Sequence, residues 1–225
     1  MEVWNSLMKA CQTKSKVPEA PTVDQNLWAP SGMENLDEAF PWAINHTTND
    51  QKDLWRFYYG TWLSGRGQSE EAIKTLSAAK NGIAKVLLAR LLKLKGDLNG
   101  AKQAYDSINE KWLLIHPQVV VERDKLLRSL GAKTIPEREQ WLSKVEALKD
   151  EWIIERRVQL LIDKGEVQKA KDLLLSTSFQ KVHQTYTRTG LWKQITEKLN
   201  LPFLPVPAQL GEDRLANFGA YREYE

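Results

Sequence analysis

From Asp50 onward the apolar residues fall at helical spacing, and the helical runs are cut at regular intervals by glycine. In "DQKDLWRFYYGTWLSGRGQSEEAIKTLSAAK", Leu54, Phe57, Tyr58 and Trp62 gather on one helix face. A short glycine turn follows, and Ser69-Glu70-Glu71 reads as the capped start of a second helix. The same grammar returns in "NGIAKVLLARLLKLK", "GD" and "LNGAKQAYDSI", and again in "DEWIIERRVQLLIDKGEVQKAKDLLLST". Between them "HPQVVVERDKLLRSLGAKTIPEREQWLSKVEALKD" has a longer turn, with Pro136 near a first helical position, where proline is tolerated. Each first helix closes on a glycine, at Gly67, Gly96, Gly131 and Gly165, with spacings of 29, 35 and 34 residues. Such a period predicts a stack of helix pairs in which no single pair buries its apolar face alone.

Over residues 50–178 this pattern resembles the tetratricopeptide repeat (TPR) family. That family's motif places a small residue in the first helix, a glycine at the turn, an alanine at the close helix crossing and a large apolar residue one turn later. The first unit offers Gly60, Gly67, Ala72 and Leu76; the second offers Ala89, Gly96, Ala101 and Tyr105; the fourth offers Val158, Gly165, Ala170 and Leu174. The third departs, with Asp124 in the first helix and no matching alanine in "IPEREQWLSKVEAL", so its second helix is expected to pack through Trp141, Val145 and Leu148. The proline that usually closes each repeat is absent. The resemblance implies an all-α, TPR-like α-solenoid of about four helix–turn–helix units, with an irregular N-terminal arm and a C-terminal cap. It also implies a protein-binding scaffold. A fainter similarity, carried by "DEWIIERRVQLLIDKGEVQKAKDLLLSTSFQKVH", is to the TPR-like tail of bacterial proteins whose other part is a sugar-enzyme-like β-sandwich.

The flanks lack this period. Residues 1–49 read as an arm, with a short helix at the start, another around Glu34–Phe40, and Leu27, Trp28, Phe40 and Trp42 as anchors to the body. Past Ser178 the repeat fails, one more helix is expected around Gly190–Leu199, and residues 179–225 end in a Pro-rich segment. There Phe203, Leu204 and Val206 are placed to cap the last helices, or to bind a partner.

Composition narrows the classes. A formal net charge of +3 over 225 residues gives no concentrated basic face of the kind nucleic acid demands. The longest apolar runs, "VLLARLLKL" and "WLLIHPQVVV", are too short to span a membrane. "MEVWNSLMKACQTKSK" has no signal-peptide core, and a lone cysteine excludes an internal disulfide framework, so a cytoplasmic setting is expected. The nine tryptophans read either as core and junction residues or as sugar platforms.

No catalytic pattern emerges. His46, His116 and His183 lie far apart without a partner ligand at metal spacing, and Cys11 has no local activating group. Glu151 and Glu155 share a helix face beside Arg156 and Arg157, which reads as a solvated, salt-bridged surface. "KGDLNGAK" follows a helical rather than a β-branched segment, so it is a helix corner and not a phosphate loop. Gly100 in it is read as a close helix contact. No metal and no cofactor is expected.

Carrying the family's inner face onto this chain gives Phe57, Thr61 and Ser64, then Val86, Arg90 and Lys93, then Val121, Lys125 and Arg128, then Trp152, Glu155 and Gln159. Arg90, Lys93, Lys125 and Arg128, flanked by Phe57 and Trp152, make this face basic with aromatic ends. It suits an acidic protein segment or a chain-terminal carboxylate. A non-enzymatic interaction scaffold is therefore expected, with self-association through the first or last helix left open. A carbohydrate-related accessory domain and an α-helical enzyme with an unrecognised site remain as alternatives.

Overall fold

The computed structural model describes residues 2–22, 35–179 and 185–202. Among the described residues there are twelve α-helices and no strand, so the fold is all-α. The chain divides into two compact units, Met1–Leu113 and Leu114–Glu225. Leu27, Trp28, His183, Phe203, Leu204 and Val206 lie outside the described residues.

The first unit contains α1 (Glu2–Thr13), α2 (Ala39–Asn45), α3 (Asn49–Gly65), α4 (Ser69–Ser77), α5 (Gly82–Leu94) and α6 (Leu98–Asp106), with α7 (Glu110–Leu114) at its border. Its core is aromatic. The fully buried Phe40 ring lies 5.4–6.2 Å from those of Trp4, Trp55, Tyr59 and Trp62. Two hydrogen bonds fasten Ala20 and Pro21 to α3. Tyr58 Oη donates to the Pro21 carbonyl at 3.0 Å, and the Ala20 N–H donates to Gln51 Oε1 at 2.7 Å. The second arm helix starts at Ala39 rather than ending at Phe40, because Pro41 falls in its first turn, where no N–H is required. Ser69 is likewise the first residue of α4 and not its cap, a position held by Gln68.

The second unit contains α8 (Pro117–Ser129), α9 (Ile135–Lys144), α10 (Glu151–Asp163), α11 (Val167–Ser176) and α12 (Thr185–Lys198). Val158, Ile162, Ala170, Leu174, Phe179, Leu191, Trp192 and Ile195 form its apolar core.

The corners follow one backbone rule. Gly67, Gly96, Gly131 and Gly165 all take positive φ, between 76° and 96°, a conformation a Cβ makes unfavourable. At three of them the helix ends in the same pair of bonds: Gly67 N–H to Ser64 O and Gln68 N–H to Leu63 O, repeated at Gly96 and Gly165. At Gly131 the chain instead enters a 3-10 turn, Ala132–Thr134, and the Thr134 hydroxyl donates to Leu127 O at 2.6 Å. That bond satisfies the carbonyl which the following N–H satisfies in the other corners.

A fifth corner extends the series. Asn200 has φ of 53°, with Leu201 N–H bonded to Thr196 O and Asn200 N–H to Glu197 O. The repeat grammar therefore continues past Ser178, with asparagine, the other residue that tolerates the left-handed region, in place of glycine.

The small residues expected at helix crossings are fully buried at Ala72, Ala89, Ala101 and Ala170. A Cβ on Gly60 would come within 2.6 Å of the Leu76 side chain, so Leu76 of α4 packs into the space that glycine leaves on α3. Gly100 has a different role. It sits against Asp97, whose carboxylate accepts the Gly100 N–H at 2.8 Å and caps α6. In the third pair, α9 packs through Leu142 and Val145, while Leu148 is exposed and Trp141 is half-buried. The Trp141 ring is taken up by cations, with the Arg123 guanidinium at 4.5 Å and the Lys144 ammonium at 4.9 Å.

Candidate functional site

The site grows out of the irregular third repeat. Asp124 on α8 occupies the position held by glycine, alanine or valine in the other repeats, and Arg138 on α9 stands where they have alanine. Both are buried, at 3% and 2% exposure. Arg138 donates to Asp124 through Nε at 2.8 Å and Nη2 at 3.4 Å, and Arg156 of α10 donates to the same carboxylate at 2.5 Å. Arg138 Nη1 reaches Asp163 at the end of α10 at 2.8 Å, and Arg128 forks onto that carboxylate at 2.8 and 3.1 Å. An ion network thus replaces the small-residue crossing and ties α8, α9 and α10 together. Burial acts to raise the Asp163 pKa, but the hydrogen bonds from Arg128 and Arg138 outweigh it and hold the carboxyl below its ordinary range.

This network floors a cavity of about 650 Å³ lined from α8, α9, α10 and α12. Five lining residues are cationic, Lys125, Arg128, Arg138, Arg156 and Lys198, against one anion, Asp163. Gln194 of α12 also lines it and exchanges amide hydrogen bonds with Gln159 of α10 at 3.0 and 3.3 Å. A second cavity of about 330 Å³ shares Lys125 and Arg156 with the first and adds Gln118, Val121, Trp152, Glu155 and Thr187.

Glu155 is not on a solvated face. It is 4% exposed, and the Arg188 guanidinium reaches its Oε1 only at 3.7 Å. Burial lifts its pKa from 4.5 to about 7, with Glu151 pushing the same way and Arg188, Lys125 and Arg156 pulling back. Glu155 Oε1 and Arg156 Nη2 are both buried without a hydrogen-bond partner.

Of the residues expected to bind a partner, Lys125, Arg128 and Trp152 meet at these two cavities. Lys125 is an exposed cation, Arg128 is engaged with Asp163, and Trp152 is half-buried. Arg90 and Lys93 are exposed on α5 of the first unit, and Phe57 is half-buried there with its ring edge-on to Tyr58 at 5.2 Å. The sequence reading missed Arg138, Arg156, Gln194 and Lys198. The signal for the first two was Asp124 itself, a charge where the repeat demands a small residue. For the α12 residues it was Asn200, one period beyond Gly165. Cys11 is buried in α1, and His116 precedes Pro117 at the start of α8. No described tryptophan is exposed, and the described residues hold no cluster of metal-ligand type.

Comparisons with known proteins agree with this architecture. A protein-family model described as "-like, C-terminal domain" matches residues 4–195. Among solved structures, the chain is similar to a TPR-domain containing protein from Parabacteroides distasonis ATCC 8503, with 55% identity and a TM-score of 0.85. The match covers 95% of this chain and 37% of that one, so this chain spans well under half of its relative's length. A search of curated proteins finds no match. These findings carry the tetratricopeptide half of the expected resemblance and leave its β-sandwich half without support. The match over residues 4–195 places this chain in the family of that C-terminal domain, with a helical-repeat fold of the tetratricopeptide kind.

Proposed function

We propose that the chain is a non-enzymatic protein-interaction module that holds an acidic partner segment against the basic face built by α8, α10 and α12. The observation that carries this reading is the larger cavity, whose five lining cations meet two carboxylates, Asp163 in the lining and Asp124 behind it. Arg128, Arg138 and Arg156 are held by Asp124 and Asp163, so the face is ordered before a partner arrives and little entropy is lost on binding. Lys125 and Lys198 add exposed positive charge. Arg90 and Lys93 on α5 and Phe57 on α3 are proposed as contacts of the first unit with a protein partner. In this reading the repeats of residues 50–178 carry the binding face together with α12, which adds Gln194 and Lys198. A sugar-binding role has less support, since every described tryptophan is buried or half-buried.

The test is titration of the chain with an acetylated heptaglutamate peptide. Charge reversal of Lys125 and Lys198 to Glu is expected to weaken binding by more than about tenfold, given contacts of about 1 kcal/mol or more per charge-assisted bond. Affinity should also fall with added salt. Both side chains are exposed, so the melting temperature should hold. Unchanged affinity in a folded variant overturns the proposal.

A further inference from the structure

We propose that Leu210, Glu212 and Asp213 of this same chain occupy the larger cavity in the free protein, so that an acidic partner binds by displacing them. This rests on the basic face described above and adds an internal competitor for it. The first observation is where the chain leaves α12. Lys198 lines the cavity, and after the left-handed corner at Asn200 the described chain runs on to Pro202. Lys198, Leu201 and Pro202 are all exposed. The ten residues from Pro202 to Glu212 span at most about 33–36 Å. Packed helices lie about 8–10 Å apart, so that length crosses the cavity with slack to spare.

The second observation is chemical complementarity. The cavity pairs apolar lining, Ile135 and Ile162, with the exposed cations Lys125, Arg128 and Lys198. The sequence "LGED" of residues 210–213 offers an apolar side chain followed at once by two carboxylates. Residues 203–225 carry four acidic side chains, Glu212, Asp213, Glu223 and Glu225, against two arginines, Arg214 and Arg222, and no lysine. That stretch is therefore acidic within a chain of net charge +3. Glu212-Asp213 is its only adjacent acidic pair and lies nearer along the chain to Lys198 than Glu223 and Glu225 do. Ion pairs between exposed groups are individually weak. Tethering offsets this, because a short linker holds the segment at an effective concentration on the order of millimolar.

The first test is cross-linking of the full chain, as an equal mixture of unlabelled and heavy-nitrogen-labelled protein. A water-soluble carbodiimide joins a lysine amine to a carboxylate in contact with it. Links from Lys125 or Lys198 to Glu212 or Asp213 are expected, and only between halves of the same label. Mixed-label links place the segment on a second copy, and absence of any such link leaves the cavity without it; either result overturns the proposal. The second test is titration with acetylated heptaglutamate. Glu212→Gln combined with Asp213→Asn removes the competitor and is expected to tighten peptide binding about fivefold, the advantage that tethering gives a weakly held segment. Equal affinity for wild type and variant overturns the internal docking while the basic face stands. If the peptide binds neither, both readings fall.

Discussion

Removing the Asp124 carboxylate tests whether the ion network holds the third repeat together. In Asp124→Ala, Arg138 loses two hydrogen bonds and keeps Asp163, while Arg156 loses its bond to Asp124 and stays buried. Leaving one partner of a buried ion pair uncompensated costs about 3–5 kcal/mol. That is a large fraction of the ~5–15 kcal/mol by which domains of this kind are stable. The assay is urea unfolding followed by tryptophan fluorescence and by far-ultraviolet circular dichroism. Two probes are needed because the chain has two compact units, and only coincident transitions license a single free energy. The reference is Asp106→Ala, which breaks the Lys102–Asp106 pair on the surface of α6 and is expected to cost about 0.3–0.5 kcal/mol. Pairing Asp124→Ala with Arg138→Ala recreates the Ala89/Ala101 crossing of the second repeat. The two losses should then be non-additive by about 1–3 kcal/mol. A loss under about 1 kcal/mol for Asp124→Ala would refute the claim that the network is structural.

Glu155 gives a pH-dependent prediction. Its folded pKa of about 7 lies above the ordinary 4.5, so the folded state holds the proton more tightly and stability falls as pH rises between those values. Glu155→Gln removes this loss. The stability gap between variant and wild type should widen from pH 4.5 to pH 7 by up to about 3 kcal/mol, and parallel curves would contradict it. Gly165→Ala places a Cβ at φ of 81° and is expected to cost about 1–2 kcal/mol in urea titration, with helix content retained. Tyr58→Phe removes the hydrogen bond to Pro21 from a buried hydroxyl. It should cost about 1 kcal/mol and raise protease cleavage around residues 15–22, next to the lost bond.

What the sequence determined by itself was local. Helices came from the three-to-four-residue recurrence of apolar positions, and corners came from residues that accept positive φ, because both depend on neighbours within a few positions along the chain. Gly67, Gly96, Gly131 and Gly165 were legible for that reason, and so were the buried alanines at fixed offsets from them. Asn200 went unread, since asparagine reaches the same conformation without advertising it, and with it went the α12 side chains of the site. The fates of Glu155, Arg138 and Arg156 depended on contacts 14 to 37 residues away, Asp124 to Arg138 and Glu151 to Arg188 among them. A glutamate beside two arginines reads as a surface pair in one dimension. Packing of α8, α10 and α12 made it a buried carboxyl with an unfilled hydrogen bond, because desolvation is set by whichever helices close over a residue and not by its neighbours in sequence.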